Sequence, residues 1–374
     1  MLGLYIHIPF CRHICHYCDF YKMVASDSFK SKYIKLLLEE MKFKKLSNYQ
    51  FDTLYIGGGT PSALNLDDLK ILFNYLDKNI NLASLSEFTI EVNPEDINLD
   101  LLQLFKTYHV TRISMGIQSF KKEIIDFLGR NTYFDFNNIK TKVELIKSVG
   151  INNINCDLIY AVPNETLDDV ISDVNQLLDL DITHVSTYSL ILEDHTILNK
   201  WYQDKIFELT NDELDASMYE KICDKLKNHN FKHYETSNFS IEGYESKHNL
   251  IYWNNEEYIG IGAGAATHLN HERYTNIRNI EKYYDGVRNN KLELEDYEIQ
   301  TLDDEMNDEV MLGLRKMEGI SKTSFLKKYK IDLLVKFPII IELIREGLLE
   351  ETNGYIRIPS RYSYIANYII IKII

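Results

Sequence analysis

The sequence predicts an α/β fold: a parallel-stranded barrel, complete or open, with a smaller α+β region behind it. Three observations carry this. Short apolar runs alternate with longer amphipathic ones over the first two hundred residues, the pattern of β/α units around a parallel sheet. The motifs richest in chemistry follow those apolar runs, and barrels gather their chemistry at the carboxyl ends of their strands. At 374 residues the chain exceeds one average domain yet fits a barrel with an appendage.

Six strands are expected, at 4–8, 53–56, 87–92, 112–116, 154–159 and 184–190. Between them lie helices with apolar residues spaced to share a face, such as Tyr33, Leu37 and Met41, or Ile139, Val143 and Ile146. Asn65 and Thr166 read as N-caps. Further on, a helix over 212–227 and a strand over 231–235 are expected, and the Gly/Ala stretch 260–266 is read as backbone passing close to the barrel mouth. From about 285 the composition turns to acidic helices, with 293–309 heavily charged. A helix over 339–349 followed by a hairpin at Asn353-Gly354 gives a winged-helix-like arrangement. The expected division is therefore 1–200, 201–284 and 285–374.

Hydrophobic residues make up 45% and charged residues 26%, enough for both a large core and a wet surface. A net charge of −15 argues against nucleic acid as a partner, and hence against DNA binding by the winged-helix-like region. The apolar residues 365–374 are too few to span a bilayer and are expected to pack as a terminal helix or strand. Cysteine usage and the absence of a targeting segment point to the cytoplasm.

The first strand leads directly into Cys11-Arg-His-Ile-Cys15-His-Tyr-Cys18. A tight loop aims three sulfurs at one region, and soft thiolates favour an iron–sulfur cluster or zinc. A structural zinc site wants four ligands, as does an ordinary four-iron cluster. Cys156 and Cys223 lie far off in apolar or helical stretches. Three protein ligands on a four-iron cluster leave one iron open to something that is not protein. Zinc completed by His7, His13 or His16 is the alternative.

The second strand runs into Gly57-Gly58-Gly59-Thr60-Pro61-Ser62, where missing side chains let backbone approach a ligand or a strand edge. No Gly-Lys-Ser/Thr follows, so it is not a P-loop. The third strand ends at Glu91-Val92-Asn93-Pro94. Polar–apolar alternation along the fourth and fifth strands brings Gln118 and Asp157 out at the rim, where an amide and a carboxylate suit ribose hydroxyls and adenine edges. Leu128-Gly129-Arg130 follows the fourth strand. Further on, His248-Asn249-Leu-Ile-Tyr252-Trp253 falls in a segment read as loop. Imidazole is a common axial ligand of heme iron, and aromatic rings offer flat faces to a macrocycle. From the residues alone the better reading is a turn, with His248 bonded to backbone and the aromatics plugging the barrel's open end.

Taken together, these motifs resemble the radical S-adenosylmethionine (radical SAM) superfamily. Within it they resemble the branch that holds oxygen-independent coproporphyrinogen III oxidase and the heme chaperone HemW. The resemblance runs from residue 4 to at least 266, through Tyr5–Cys11, Tyr17–Phe20, Gly57–Ser62, Glu91–Pro94, Ser114–Ser119, Asp157–Tyr160, Tyr234–Phe239, His248–Trp253 and Gly260–Ala265. It implies a partial (β/α)6 TIM-like barrel with a [4Fe–4S] cluster on Cys11, Cys15 and Cys18. The open iron of such a cluster chelates the amine and carboxylate of SAM, and an electron from the cluster splits SAM to a 5′-deoxyadenosyl radical. By position it maps SAM contacts onto Tyr5, Tyr17, Gly58, Gly59, Thr60, Glu91, Gln118, Arg130 and Asp157, and heme contacts onto His248, Asn249, Tyr252 and Trp253.

Phe20 stands where the oxidase carries an additional cysteine, the first strand begins at residue 4, and the H-N-x-x-Y-W stretch is that of the chaperone. The resemblance to the chaperone branch implies heme delivery to acceptor proteins, membrane-associated respiratory proteins among them, with an electron donor for the cluster and room for a homodimer. The rival is oxidative decarboxylation of coproporphyrinogen III, which leaves open whether the chain is an enzyme. Asn131, Ala161 and Glu165 depart from the family's frequent histidine, glycine and glutamine.

Overall fold

The computed structural model describes residues 1–374. All six expected strands form: β1 (Leu2–Ile8), β2 (Thr53–Gly58), β3 (Glu87–Val92), β4 (Arg112–Gln118), β5 (Asn153–Tyr160) and β6 (His184–Ser189), paired in parallel in that order. Their crossovers are α1 (Asp27–Phe43), α2 (Leu66–Asn79), α3 (Leu99–Thr107), α4 (Lys122–Phe127) with α5 (Phe136–Ser148), and α6 (Leu167–Leu178). Asn65 and Thr166 cap α2 and α6, each accepting from the backbone N–H three residues on.

Strand alternation separates two environments. Leu4, Ile6, Leu54, Ile56, Phe88, Ile90, Ile113, Met115, Ile154 and Cys156 point outward into a core shared with the helices. Their neighbours Tyr5, Tyr55, Glu91, Arg112, Ser114, Asn155, Asp157 and Ser186 line cavities on the inner face. Because side chains alternate along a strand, one sequence builds an apolar exterior seam and a polar interior.

The sheet continues beyond the expected six. After α7 (Ile197–Gln203) and α8 (Asp212–Asn228), strands β7 (Lys232–Glu235) and β8 (Asn238–Ser240) extend the β6 edge. Helix α9 (Lys247–Trp253) follows, and β9 (Glu257–Ile261) then pairs in parallel with β1. The Gly/Ala stretch at 260–266 therefore begins as a seventh parallel strand. Strands β10 (Ala266–Leu269) and β11 (Glu272–Asn276), helix α10 (Ile280–Arg288) and strand β12 (Leu294–Ile299) complete a twelve-stranded sheet in the order β12-β11-β10-β9-β1-β2-β3-β4-β5-β6-β8-β7. The charged stretch expected to be helix is thus first a strand. β12 is an edge strand, and charge is what an edge strand carries to block pairing with another chain.

A second core begins at Met306 and runs to Ile370. It is built from α11 (Leu302–Gly313), α12 (Lys322–Tyr329), α13 (Leu333–Lys336), α14 (Ile339–Arg345) and α15 (Ala366–Ile371) around a sheet of β13 (Ile320–Ser321), β15 (Tyr355–Arg357) and β14 (Glu350–Thr352). Tyr283 and Val287 belong to the first core, so the packing boundary falls later than the expected 285. The terminal apolar residues form α15, which buries Ile369 and Ile370. No helix is long and apolar enough to cross a membrane.

Candidate cluster and cofactor site

The three-cysteine loop is held by backbone bonds from several elements. Cys11 N–H donates to Met23 O at 3.0 Å, and Met23 N–H to Pro9 O at 2.7 Å, which closes the loop at its base. Midway, His16 N–H donates to Leu128 O at 2.9 Å, its ring Nδ1–H donates to Phe127 O at 3.0 Å, and Trp201 of α7 packs edge-on at 4.7 Å. His7 is committed as well: Nε2–H donates to Tyr21 O at 2.8 Å while Nδ1 accepts from Tyr5 Oη at 3.0 Å. These bonds occupy both ring nitrogens of His7 and, at His16, Nδ1 alone. No three His, Cys, Asp or Glu side chains converge as one metal ion requires, and thiolates on tetrahedral zinc would stand only about 3.8 Å apart. His13, the third candidate, lines the same cavity as the three cysteines.

All three thiols are free, partly buried and face one cavity. Burial pushes Cys11 up to about 11, opposed by the Thr60 hydroxyl, and burial raises Cys15 and Cys18 too. Such thiols ionise only against a strong cation, and a coordinating thiol is deprotonated outright. The donor set and its placement fit an iron–sulfur cluster spread over several irons.

The same cavity is lined by Tyr17, Gly58, Gly59, Thr60, Glu91, Gln118, Arg130 and Asp157. Of the residues expected around SAM, only Tyr5 lies outside it, in the cleft next door. Gly58 holds φ +112°, and a Cβ there would meet the His7 ring at 2.4 Å; at Gly59 it would meet Ile8 O at 2.9 Å. The glycine run is therefore required by close approach as well as by conformation. Glu91 accepts from Tyr55 Oη at 2.7 Å and from Gly58 N–H at 3.0 Å, and burial raises it to about 7. Burial likewise raises Asp157, against the Asn155 amide donating at 2.7 Å. Arg130 donates to Asn93 Oδ1 at 2.9 Å. Gln118 has φ +73° beside a bulge in the β4–β5 ladder, backbone strain of the kind that clusters at functional sites.

Two departures from the family pattern find a local account. Ala161 sits at φ +60°, a conformation that glycine adopts freely. Buried Glu165 accepts from Val162 N–H at 3.0 Å and is pushed up to about 8.

Sequence reading missed the deeper interior. A cavity of about 290 Å³ lies below the rim, lined by Arg112, Ser114, Asn155, Ser186, Tyr188 and Asn249 among others. Arg112 is 2% exposed, and its Nε has no partner. The available signal was the polar member of each alternating pair along β4 and β5.

The segment at 247–253 differs from the expected loop. It is helix α9, capped by Ser246, with Glu87 accepting the N–H groups of Lys247 at 2.9 Å and His248 at 3.1 Å. A carboxylate at a helix N-terminus satisfies donors left free there. His248 is 1% exposed; Nδ1 is bonded to Thr53 Oγ1 at 2.7 Å and Nε2 to Tyr252 Oη at 2.8 Å. As folded, neither nitrogen is free for iron. The four residues diverge: Asn249 reaches the interior cavity, Tyr252 a separate aromatic cleft, and Trp253 lies under Arg315 of the second unit at 5.8 Å.

An open barrel whose first β/α loop presents three cysteines, beside a glycine run and a polar rim, defines a radical SAM protein. The radical SAM superfamily model matches residues 5–177, and that of the HemN C-terminal domain matches 300–361. The chain is 38% identical over 364 residues to the heme chaperone HemW of Lactococcus lactis, covering 97% of this chain and 94% of that one. It is 35% identical to HemW of Bacillus subtilis, covering 98% and 97%. Its fold matches coproporphyrinogen III oxidase (HemN) of Escherichia coli with a TM-score of 0.84 at 21% identity, over 99% of this chain and 89% of that one. The chain belongs to the HemW family of radical SAM proteins.

Proposed function

We propose that the protein is a cytoplasmic heme chaperone that holds a [4Fe–4S] cluster and SAM, binds heme and passes it to acceptor proteins. The observation that carries this is similarity to HemW chaperones along nearly the whole chain. In this reading Cys11, Cys15 and Cys18 hold the cluster, which when bound supplies one-electron chemistry. Arg130 and the Gly58–Thr60 backbone face the charged end of SAM, while Gln118 and Asp157 face its nucleoside. Glu91, near neutrality in its buried setting, exchanges a proton at its carboxylate when a cationic group enters. His248 stays the candidate heme ligand of the H-N-x-x-Y-W stretch only if α9 opens its bond to Tyr252. Heme-accepting proteins, respiratory ones among them, an electron donor and a second copy of the chain are the proposed partners.

The test is an anaerobic hemin titration of the reconstituted protein in the Soret region, followed by mixing with apomyoglobin. Saturable binding and transfer to the acceptor are expected. No saturable binding, or turnover of coproporphyrinogen III with SAM and reductant, overturns the reading.

A further inference from the structure

Phe20 follows the last of the three cysteines by two residues and is 65% exposed, although covering a Phe side chain is worth about 1.5–3 kcal/mol. It stands where three cavities meet, two of them being the cysteine-lined cavity and the barrel interior. The third is a cleft of about 560 Å³, within the usual size of ligand pockets. Its walls are aromatic: Tyr21 from the cysteine loop, Tyr5 from β1, Tyr252 from α9 and Tyr258 from β9, the last two edge to face at 4.7 Å. Gly264 and Ala266 add no bulk to the remaining wall.

Two cations stand in this cleft on a chain of net charge −15. Lys22 bonds only to the Cys18 carbonyl, and Arg278 has a loose carboxylate neighbour, Glu295, at 3.8 Å. Asp19 is the one acidic residue of the lining. A flat apolar body carrying two carboxylates on one edge suits such a cleft. The larger cleft, about 1070 Å³ around His233 and Arg357, suits it less: its cations Lys227, Lys232, Arg357 and Arg361 are matched by Glu220, Asp224, Glu242 and Glu350, and Arg357 is already paired with Glu350 at 2.7 Å.

We propose that the cleft between Phe20, Tyr21, Tyr252 and Tyr258 seats the heme macrocycle, with Lys22 and Arg278 taking its two propionates. The inference rests on the heme-chaperone reading and gives that reading a location. It also gives the 247–253 helix a part in binding, because α9 delivers Tyr252 to the cleft while His248 keeps it there.

The experiment is the hemin titration on full-length reconstituted Arg278→Ala, Tyr258→Ala and His233→Ala, repeated with hemin dimethyl ester. Iron content and melting temperature establish that each variant is folded and loaded. Arg278→Ala is expected to raise the hemin Kd at least tenfold and leave the ester's Kd unchanged. Tyr258→Ala should weaken both ligands, and His233→Ala neither. Wild-type hemin affinity in both cleft variants, or a loss confined to His233→Ala, overturns the location while leaving a heme binder. Absence of saturable binding by the wild type overturns the chaperone reading and the location with it.

Discussion

The cysteine loop and helix α9 are the two segments with the most distinctive residues, and they end in opposite states. In the loop the backbone is bonded at Cys11, His16 and Met23, yet all three sulfurs face a cavity, with a hydroxyl beside Cys11 and burial opposing their charge. In α9 the motif's histidine is bonded at both ring nitrogens and at its N–H, 1% exposed, and sealed by Glu87. A buried polar group that is fully bonded stabilises its own fold, whereas one held rigid but unsatisfied is prepared for something else. By that criterion the loop is the stronger candidate for a ligand site, and α9 acts chiefly as a plug that positions its neighbours.

The contrast breaks most clearly by mutation. Replacing Cys11, Cys15 and Cys18 together by serine should abolish bound iron altogether while moving the apo chain's stability by less than about 1 kcal/mol, since these partly exposed side chains carry little of the core. Iron analysis beside denaturant unfolding checks both halves. His248→Ala should do the opposite, costing about 3 kcal/mol by leaving Thr53, Tyr252 and a cavity unpartnered, with iron content unchanged.

A pH series sharpens the same contrast. Burial, with the Arg112 charge, pushes His248 down to about 3, so the folded chain keeps it neutral where the unfolded chain takes a proton below about pH 6.5. Its contribution is full above that pH and is lost on acidification by about 1.4 kcal/mol per pH unit. The stability gap between the wild type and His248→Gln should therefore shrink by that slope between pH 6.5 and 5. A gap that does not change with pH would mean His248 is charged or solvated. The smallest effect belongs to the loop's outer tie: Arg12, mostly exposed, bonds buried Asp96 at 2.7 Å, so Arg12→Ala should cost at most about 1 kcal/mol in melting experiments and leave iron content untouched.

The same physics decides what could be read from the chain beforehand. Strands β1 to β6 were legible because a polar interior against an apolar exterior writes period-two alternation into each. The rim motifs were legible because each lies in the carboxyl half of its strand or just beyond it. β9 was not, since its parallel partner β1 lies some 250 residues away and no local pattern announces the pairing. β12 was hidden by the charge that protects an exposed edge, and α9 by its seven-residue length and asparagines. Arg112 at a strand's first position gave no sign that it would lie deep in the barrel. That follows only from closing the sheet around it.

The measurement that tests this account most directly is the hemin affinity of His248→Gln, taken anaerobically at a temperature where the variant is folded and holds its cluster. The account predicts saturable binding within about threefold of the wild type, because the glutamine amide can keep the bond to Tyr252 Oη and the imidazole holds no iron. Loss of the Soret change in a folded, iron-replete variant would contradict it, and would mean that α9 leaves its seat to present His248 to heme.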